Sequence, residues 1–109
     1  MQYDIAPTGE VTVTNFEPKA GAFSQAQATV ANVSGQLLPA NPARRYLMVQ
    51  NKALTGDIYV NVTGAAATAA NGVLVVPGAA LELAGYVPDG AITAIGTVAS
   101  NTSVVVVEG

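Results

Sequence analysis

The sequence contains no histidine, no cysteine and no tryptophan, and only 11 of its 109 residues (four Lys or Arg, seven Asp or Glu) are charged. Without histidine, the chain lacks the most common general base and metal ligand. Without cysteine, it has neither disulfides nor a thiol nucleophile. Asp57 and Glu82 could come close across a sheet, but both are better explained as solvated surface acids. We therefore predict a protein that is not an enzyme and that has no catalytic residues, no metal and no cofactor.

Positive charge is also scarce. The net charge is −3, and residues 53–109 contain neither lysine nor arginine. Nucleic-acid binding needs a basic stripe that faces the phosphates, so we predict no nucleic-acid partner. No stretch approaches the roughly 18 apolar residues of a membrane-spanning helix. The first ten residues have neither the basic region nor the apolar run of a signal peptide, and we expect no membrane partner.

Half of the residues are hydrophobic while 10 % are charged, compared with a usual charged fraction of about 25 %. So few charges cover the surface of a monomer poorly. This composition favours a surface that is covered by further copies of the chain or by a partner. The alternative is that Ser, Thr, Asn, Gln and Gly supply the missing polarity.

Short stretches of alternating apolar and polar residues, separated by turn residues, predict β-strands throughout the chain. No stretch shows the pattern of a helix clearly enough to predict one. The length fits one domain, and the pattern predicts an all-β fold: a single-domain antiparallel β-sandwich or jelly roll of about eight to nine short strands with an extended N-terminal arm. The predicted strands cover residues 11–14, 24–33, 36–38, 45–51, 57–63, 73–76, 79–83, 91–97 and 103–107.

Three of these stretches lead to finer predictions. Residues 24–33 are rich in Ala and Gln and could begin a helix, although their alternation favours a strand. The loop of residues 52–56 is too short for a crossover helix, so the strands on either side should pair as a hairpin. The four valines at 104–107 are apolar on both faces, which indicates a central strand or one covered by a subunit contact.

The chain divides into an N-terminal arm (residues 1–24) and a β-sandwich domain (residues 25–109). Proline and glycine punctuate the arm. It could dock on a neighbouring subunit, or it could be a frayed terminus. Phe16 and Phe23 are the only phenylalanines and both lie in the arm, which favours docking. We therefore treat both as candidate partner contacts.

Arg44 and Arg45 are the other candidate partner contacts. An arginine side chain suits paired hydrogen bonds to a carboxylate on another chain. The equally weighted alternative is a bridge to one of the nearby acids of the same chain, which contributes little to stability if it is exposed. The four tyrosines, in a chain without tryptophan, make only a weak case for a sugar-binding platform, because a tyrosine on a half-buried strand more often serves in packing. They are Tyr3, Tyr46, Tyr59 and Tyr86.

Residues 41–64 resemble a segment of small virion proteins of tailed bacteriophages. The shared features are Asn-Pro, then Arg, an apolar strand ending in Gln-Asn, and a second strand ending near a Gly. The resemblance continues to residue 109 through the Pro77-Gly78 turn, the Pro-Asp-Gly turn at 88–90, Ala-Ile-Thr-Ala-Ile at 91–95 and the closing valine strand.

This resemblance implies a capsid decoration (cement) protein, a homotrimer that binds the major capsid protein. Such a protein sits on the outer surface of an icosahedral head, which is assembled in the host cytoplasm. It bridges neighbouring capsid subunits and stabilises the shell against the pressure of packed DNA. The alternative that the resemblance allows is a receptor- or glycan-binding module of a head fibre or tail accessory protein.

Overall fold

A computed structural model describes residues 23–109 of the chain. The predicted strand at residues 11–14 and the candidate contact Phe16 lie outside this range, as does nearly all of the predicted arm. The first strand begins at Ser24, the last residue assigned to the arm.

The described residues form eight β-strands and no helix, which confirms the all-β prediction. Accordingly, residues 23–109 include no helix that could span a membrane. The strands are β1 (Ser24–Val30), β2 (Gly35–Leu38), β3 (Tyr46–Asn51), β4 (Ile58–Asn61), β5 (Val73–Val75), β6 (Ala80–Ala84), β7 (Ile92–Gly96) and β8 (Thr102–Glu108).

The strands form two antiparallel sheets of four. The first sheet has the order β1-β8-β3-β6 and the second has the order β2-β7-β4-β5. The pairings are nested along the chain, because β1 pairs with β8, β2 with β7, β3 with β6 and β4 with β5. This eight-stranded, double-sheet arrangement is a jelly roll. The valine strand β8 lies between β1 and β3, as predicted for a strand that is apolar on both faces.

The core lies between the two sheets, and strand periodicity explains its composition. Buried and partly exposed residues alternate along β3 and along β7, because successive side chains point to opposite faces of a strand. Each fully buried Leu, Ile or Val side chain contributes about 1.5–3 kcal/mol to folding. The hydrophobic side chains with no exposed surface are Leu47, Val49, Ile58, Val60, Ile92 and Val104.

The predicted hairpin between β3 and β4 is wrong, because these strands belong to different sheets. The loop between them carries the chain from the first sheet to the second. Gly56 in this loop has a φ of +96°, a backbone conformation that side chains with a β-carbon rarely adopt. The Asn51 Nδ2 donates a 2.9 Å hydrogen bond to the Gly56 carbonyl and so fixes the crossing between the two sheets.

The strand predicted at residues 24–33 is a strand rather than a helix, but it ends at Val30. Beyond that residue the chain crosses to the second sheet, where the Ala31 carbonyl accepts a 2.7 Å hydrogen bond from the backbone N–H of Gly96. In the sequence, the alternation runs on to residue 33, because residues before and after a crossing between sheets can follow the same pattern. The alternation therefore did not indicate where the strand ends.

Candidate functional site

The outer face of the first sheet is nearly free of charge. The register of its four strands places twelve side chains on the side away from the core. Of these twelve, only Glu82 is charged at neutral pH. Charged residues are depleted at the centres of protein interfaces. This neutral outer face consists of Gln25, Gln27, Thr29, Tyr46, Met48, Gln50, Ala80, Glu82, Ala84, Ser103, Val105 and Val107.

Two aromatic rings stand at one end of this face. Phe23 stacks on Tyr46 with ring centroids 5.3 Å apart and an interplanar angle of 4°. The Tyr46 hydroxyl donates a 2.6 Å hydrogen bond to Oε2 of Glu82. This hydrogen bond and the negative charge of Glu82 raise the pKa of Tyr46, because both disfavour the phenolate. Tyr46 is thereby held in one orientation and supports Phe23.

Phe23 remains largely exposed in spite of this stacking. Its side chain is 64 % exposed, and the Gly109 backbone packs so close beneath its ring that a β-carbon at Gly109 would overlap the ring. A large aromatic side chain with a fixed orientation is typical of residues that dominate interface energies. Phe23 therefore stays a candidate partner contact, and the structure places it next to the neutral outer face.

The second sheet differs because the chain itself covers the part of its outer face around Tyr59 and Thr93, although Leu74 on the same face is 50 % exposed. Thr93 Oγ1 donates a 2.7 Å hydrogen bond to the Ala65 carbonyl, and Gly72 lies so close to the Cβ of Tyr59 that there is no space for a side chain. The loop of residues 64–72 thus lies over this face. Tyr59 is half-buried beneath it, which does not fit an open sugar-stacking platform.

Arg44 is enclosed within the protein. Its side chain has no exposed surface, and its Nε donates to Oε2 of Glu108 at 2.7 Å. Nη1 donates to the carbonyls of Pro88 at 2.6 Å and Gly90 at 3.0 Å, and Nη2 donates to the carbonyl of Pro39 at 2.8 Å. All three guanidinium nitrogens are therefore bonded to the same chain.

The structure thus shows the intramolecular bridge that was the alternative for the arginine pair. Arg44 cannot reach a carboxylate on another chain while these bonds hold, which corrects its placement among the candidate partner contacts. Arg45 is exposed, because the next residue of an extended chain points the opposite way. Of the two arginines, Arg45 alone is positioned to contact a partner.

The Glu108 carboxylate is stabilised in its charged form. Burial raises the pKa of Glu108. The hydrogen bonds from Arg44 and Asn41 and the positive charge of Arg44 lower the pKa by more than burial raises it, so the net shift is downward. The Asn41 Nδ2 contributes a 3.1 Å hydrogen bond to the same Oε2 atom. Because Glu108 stays ionised, the buried Arg44 keeps its counter-charge.

Asn51 plays a comparable role at the other end of β3, and sequence reasoning missed it. It has no exposed surface, and its Nδ2 donates to the carbonyls of Gly56 at 2.9 Å and Val75 at 3.0 Å. Its Oδ1 accepts a 3.0 Å hydrogen bond from the backbone N–H of Ala53. The period of two that places Leu47 and Val49 in the core also places Asn51 there, and that signal could have identified it.

The described residues do not bring the acids together for catalysis. Asp57 lies immediately before β4 of the second sheet, whereas Glu82 lies on the outer face of the first sheet. Within residues 23–109, no group of three Asp, Glu, His or Cys side chains could hold a metal ion. A cleft of about 150 Å³ at the β1–β2 turn is lined without any titratable side chain.

Comparison with known proteins gives one structural likeness. No protein-family model matches the sequence, and no curated protein sequence matches it. The fold is similar to a chain in a structure described as "Bacillus endospore appendages form a novel family of disulfide-linked pili". The two chains are 13 % identical over 90 % of this chain and 96 % of the other, with a TM-score of 0.43. A likeness this weak carries no inference about function.

Proposed function

We propose that this chain is a non-catalytic structural virion protein that decorates and stabilises an icosahedral phage head. It binds the major capsid protein on the outer surface of the head and acts as a homotrimer. The resemblance of residues 41–109 to small virion proteins of tailed phages supports this proposal. The structural observation that carries it is the neutral outer face of the first sheet, with the exposed Phe23 at its end.

Such a face suits a permanent contact between proteins. Removing water from Gln, Thr, Ala, Val and Met side chains costs little compared with removing it from ions, and a single carboxylate, Glu82, leaves little charge to neutralise. Glu82 is already hydrogen-bonded to Tyr46. A stable protein–protein contact buries about 800 Å² on each partner, and a four-stranded sheet face is of suitable size for part of such a contact.

The contribution of each copy would be mechanical. A rigid two-sheet domain, with its crossings held by buried Arg44 and Asn51, can join neighbouring capsid subunits without changing shape. Every contact made only in the closed shell lowers the free energy of that shell relative to its open or broken forms. With many copies on one head, modest individual contacts add to a large resistance against internal pressure.

The test is reconstitution on heads that lack the protein. Purified full-length chain is added to such heads, and we measure how much sediments with them and at what temperature they release DNA. We expect saturable binding and a higher release temperature. Phe23→Ala should weaken binding by at least tenfold, a loss of about 1.4 kcal/mol or more, because it removes the exposed aromatic side chain.

Leu54→Ala is the matched control. Leu54 is 96 % exposed and lies in the loop after β3, at the opposite end of that strand from Tyr46, so its removal should leave binding unchanged. Failure of the wild-type chain to bind heads would refute the decoration role. Binding to host cells that is lost in Tyr59→Ala would instead support the receptor- or glycan-binding module of a head fibre or tail.

A further inference from the structure

One of the four edge strands is built differently from the others. β1 is an edge of the first sheet, and it pairs with β8 over all seven residues without a bulge. Within residues 23–109 no strand pairs with its other edge. Its sequence, SQAQATV, contains no charge and no proline, and its first four residues are exposed. Proteins usually protect long, regular edges with charges, prolines or bulges, because bare edges recruit further strands.

The other three edges carry such protection. β6 has Glu82 at its centre, so two copies of β6 pairing in antiparallel fashion would bring like charges together. β5 is only three residues long, and the register of β2 shifts between Gln36 and Leu38. Among the four edge strands of the described residues, β1 alone is long, regular and neutral.

We propose that β1 pairs with β1 of a second copy of this chain, in antiparallel orientation, with Gln27 on the two-fold axis. The two first sheets then form one continuous sheet of eight strands, and the backbone groups on both free edges are satisfied. The contact is isologous, so each β1 edge takes one partner, and in a homotrimer it would join each chain to a chain of another trimer. It goes beyond the proposed function and does not depend on it.

The side chains of β1 are compatible with this self-pairing. Gln27 stands opposite its own copy, Gln25 opposite Thr29, and Ala26 opposite Ala28. The outer-face pairs are polar and able to form hydrogen bonds, and the small alanines leave space on the inner side. No position sets like charges against each other, which is the usual obstacle when a strand pairs with itself.

The absence of native cysteine allows a clean test by disulfide crosslinking of the full chain. In the two-fold contact the two Gln27 positions are directly opposite, with Cβ atoms about 4.5–5.5 Å apart. That is close to the spacing that a disulfide requires. We expect Gln27→Cys to form a covalent dimer under mild oxidation at least ten times faster than Gln36→Cys. The Gln36→Cys control places a cysteine at a position on β2 that is also exposed.

A second pair of variants tests the register. Two Gln25 positions would be four residues apart along the contact, about 13 Å, so Gln25→Cys should not crosslink with itself. A mixture of Gln25→Cys and Thr29→Cys should crosslink, because these positions face each other. In light scattering, concentrated wild-type protein should show a species with twice the mass of the species that is present after dilution.

Equal crosslinking rates for Gln27→Cys and Gln36→Cys, or self-crosslinking of Gln25→Cys as fast as that of Gln27→Cys, would overturn the proposal. These measurements use no phage heads. Failure of the strand pairing is therefore distinguishable from failure of the decoration role.

Discussion

Arg44 and Glu108, 64 positions apart in sequence, form an ion pair of 2.7 Å in which the arginine side chain is fully enclosed. The same guanidinium binds the carbonyls of Pro39, Pro88 and Gly90. It therefore joins the segment before β3, the turn before β7 and the end of β8. Removing one partner of a buried ion pair is strongly destabilising, because the other charge is left without compensation in the interior.

The first prediction concerns the two adjacent arginines. Arg44→Met should lower the free energy of unfolding by about 3–5 kcal/mol, because Glu108 and three carbonyls lose their donor. Arg45→Met makes the same chemical change at an exposed site and should change it by no more than about 0.5 kcal/mol. Urea unfolding of both variants measures the difference. Equal losses in the two variants would contradict the role assigned to Arg44.

The second prediction is a pH dependence of stability. The pKa of Glu108 is lower in the folded chain than in the unfolded chain, so the folded state binds this proton less readily. The resulting stabilisation is fully present above the ordinary carboxylate pKa and is lost as the pH falls through that range to the folded pKa.

Urea midpoints measured from pH 7 to pH 3 test this dependence. Glu108→Gln should be less stable than wild type at pH 7, and the difference should shrink as the pH falls. A difference between the two proteins that stayed constant over this range would show that the Glu108 charge does not contribute in this way.

The third prediction addresses Asn51. Asn51→Ala removes the donor to the Gly56 and Val75 carbonyls and the acceptor for the Ala53 N–H. Each buried polar group left unpaired costs about 1–3 kcal/mol, so we expect a loss of at least about 2 kcal/mol in the free energy of unfolding. Asn32→Ala, at an exposed position, should be nearly neutral. A neutral Asn51→Ala would mean that the crossing between the sheets is held by other contacts.

The fourth prediction tests the same crossing through its backbone. Gly56 has a φ of +96°, and a β-carbon there would approach the Val98 side chain to 3.0 Å. Gly56→Ala should therefore cost about 1–2 kcal/mol or more, from backbone strain and crowding together. Gly35→Ala, in β2, meets no atom within 4 Å and needs no positive φ, so it should be tolerated. Thermal unfolding of the two variants gives the comparison.

The strand content could be predicted from sequence because it depends on local alternation. β3 and β7 each alternate between buried and partly exposed residues, and such a pattern identifies a half-buried strand without further information. The four valines of β8 predicted a central strand or one covered by a subunit contact. β8 is central, and its Val105 and Val107 lie partly exposed on the neutral outer face. The strand order as a whole did not follow, because it depends on pairings between residues far apart in sequence.

The failed hairpin shows the limit of local reasoning. A six-residue loop after β3 can return to the same sheet or cross to the other sheet, and loop length does not distinguish the two. The crossing depends on Asn51 binding Val75, 24 residues away. Likewise, Arg44 and Arg45 look equivalent in sequence. Which of the two arginines is enclosed depends on contacts with Glu108 and with the turn of residues 88–90, both distant in sequence.

Immunogold labelling in the electron microscope tests the proposed decoration role directly, on phage particles whose genome encodes this chain. We expect label spread evenly over the outer surface of the head, and no label on particles from which the gene is deleted. Label confined to the tail or to a fibre tip would contradict the decoration role and support an attachment function instead. Particles that carry no label at all would contradict both.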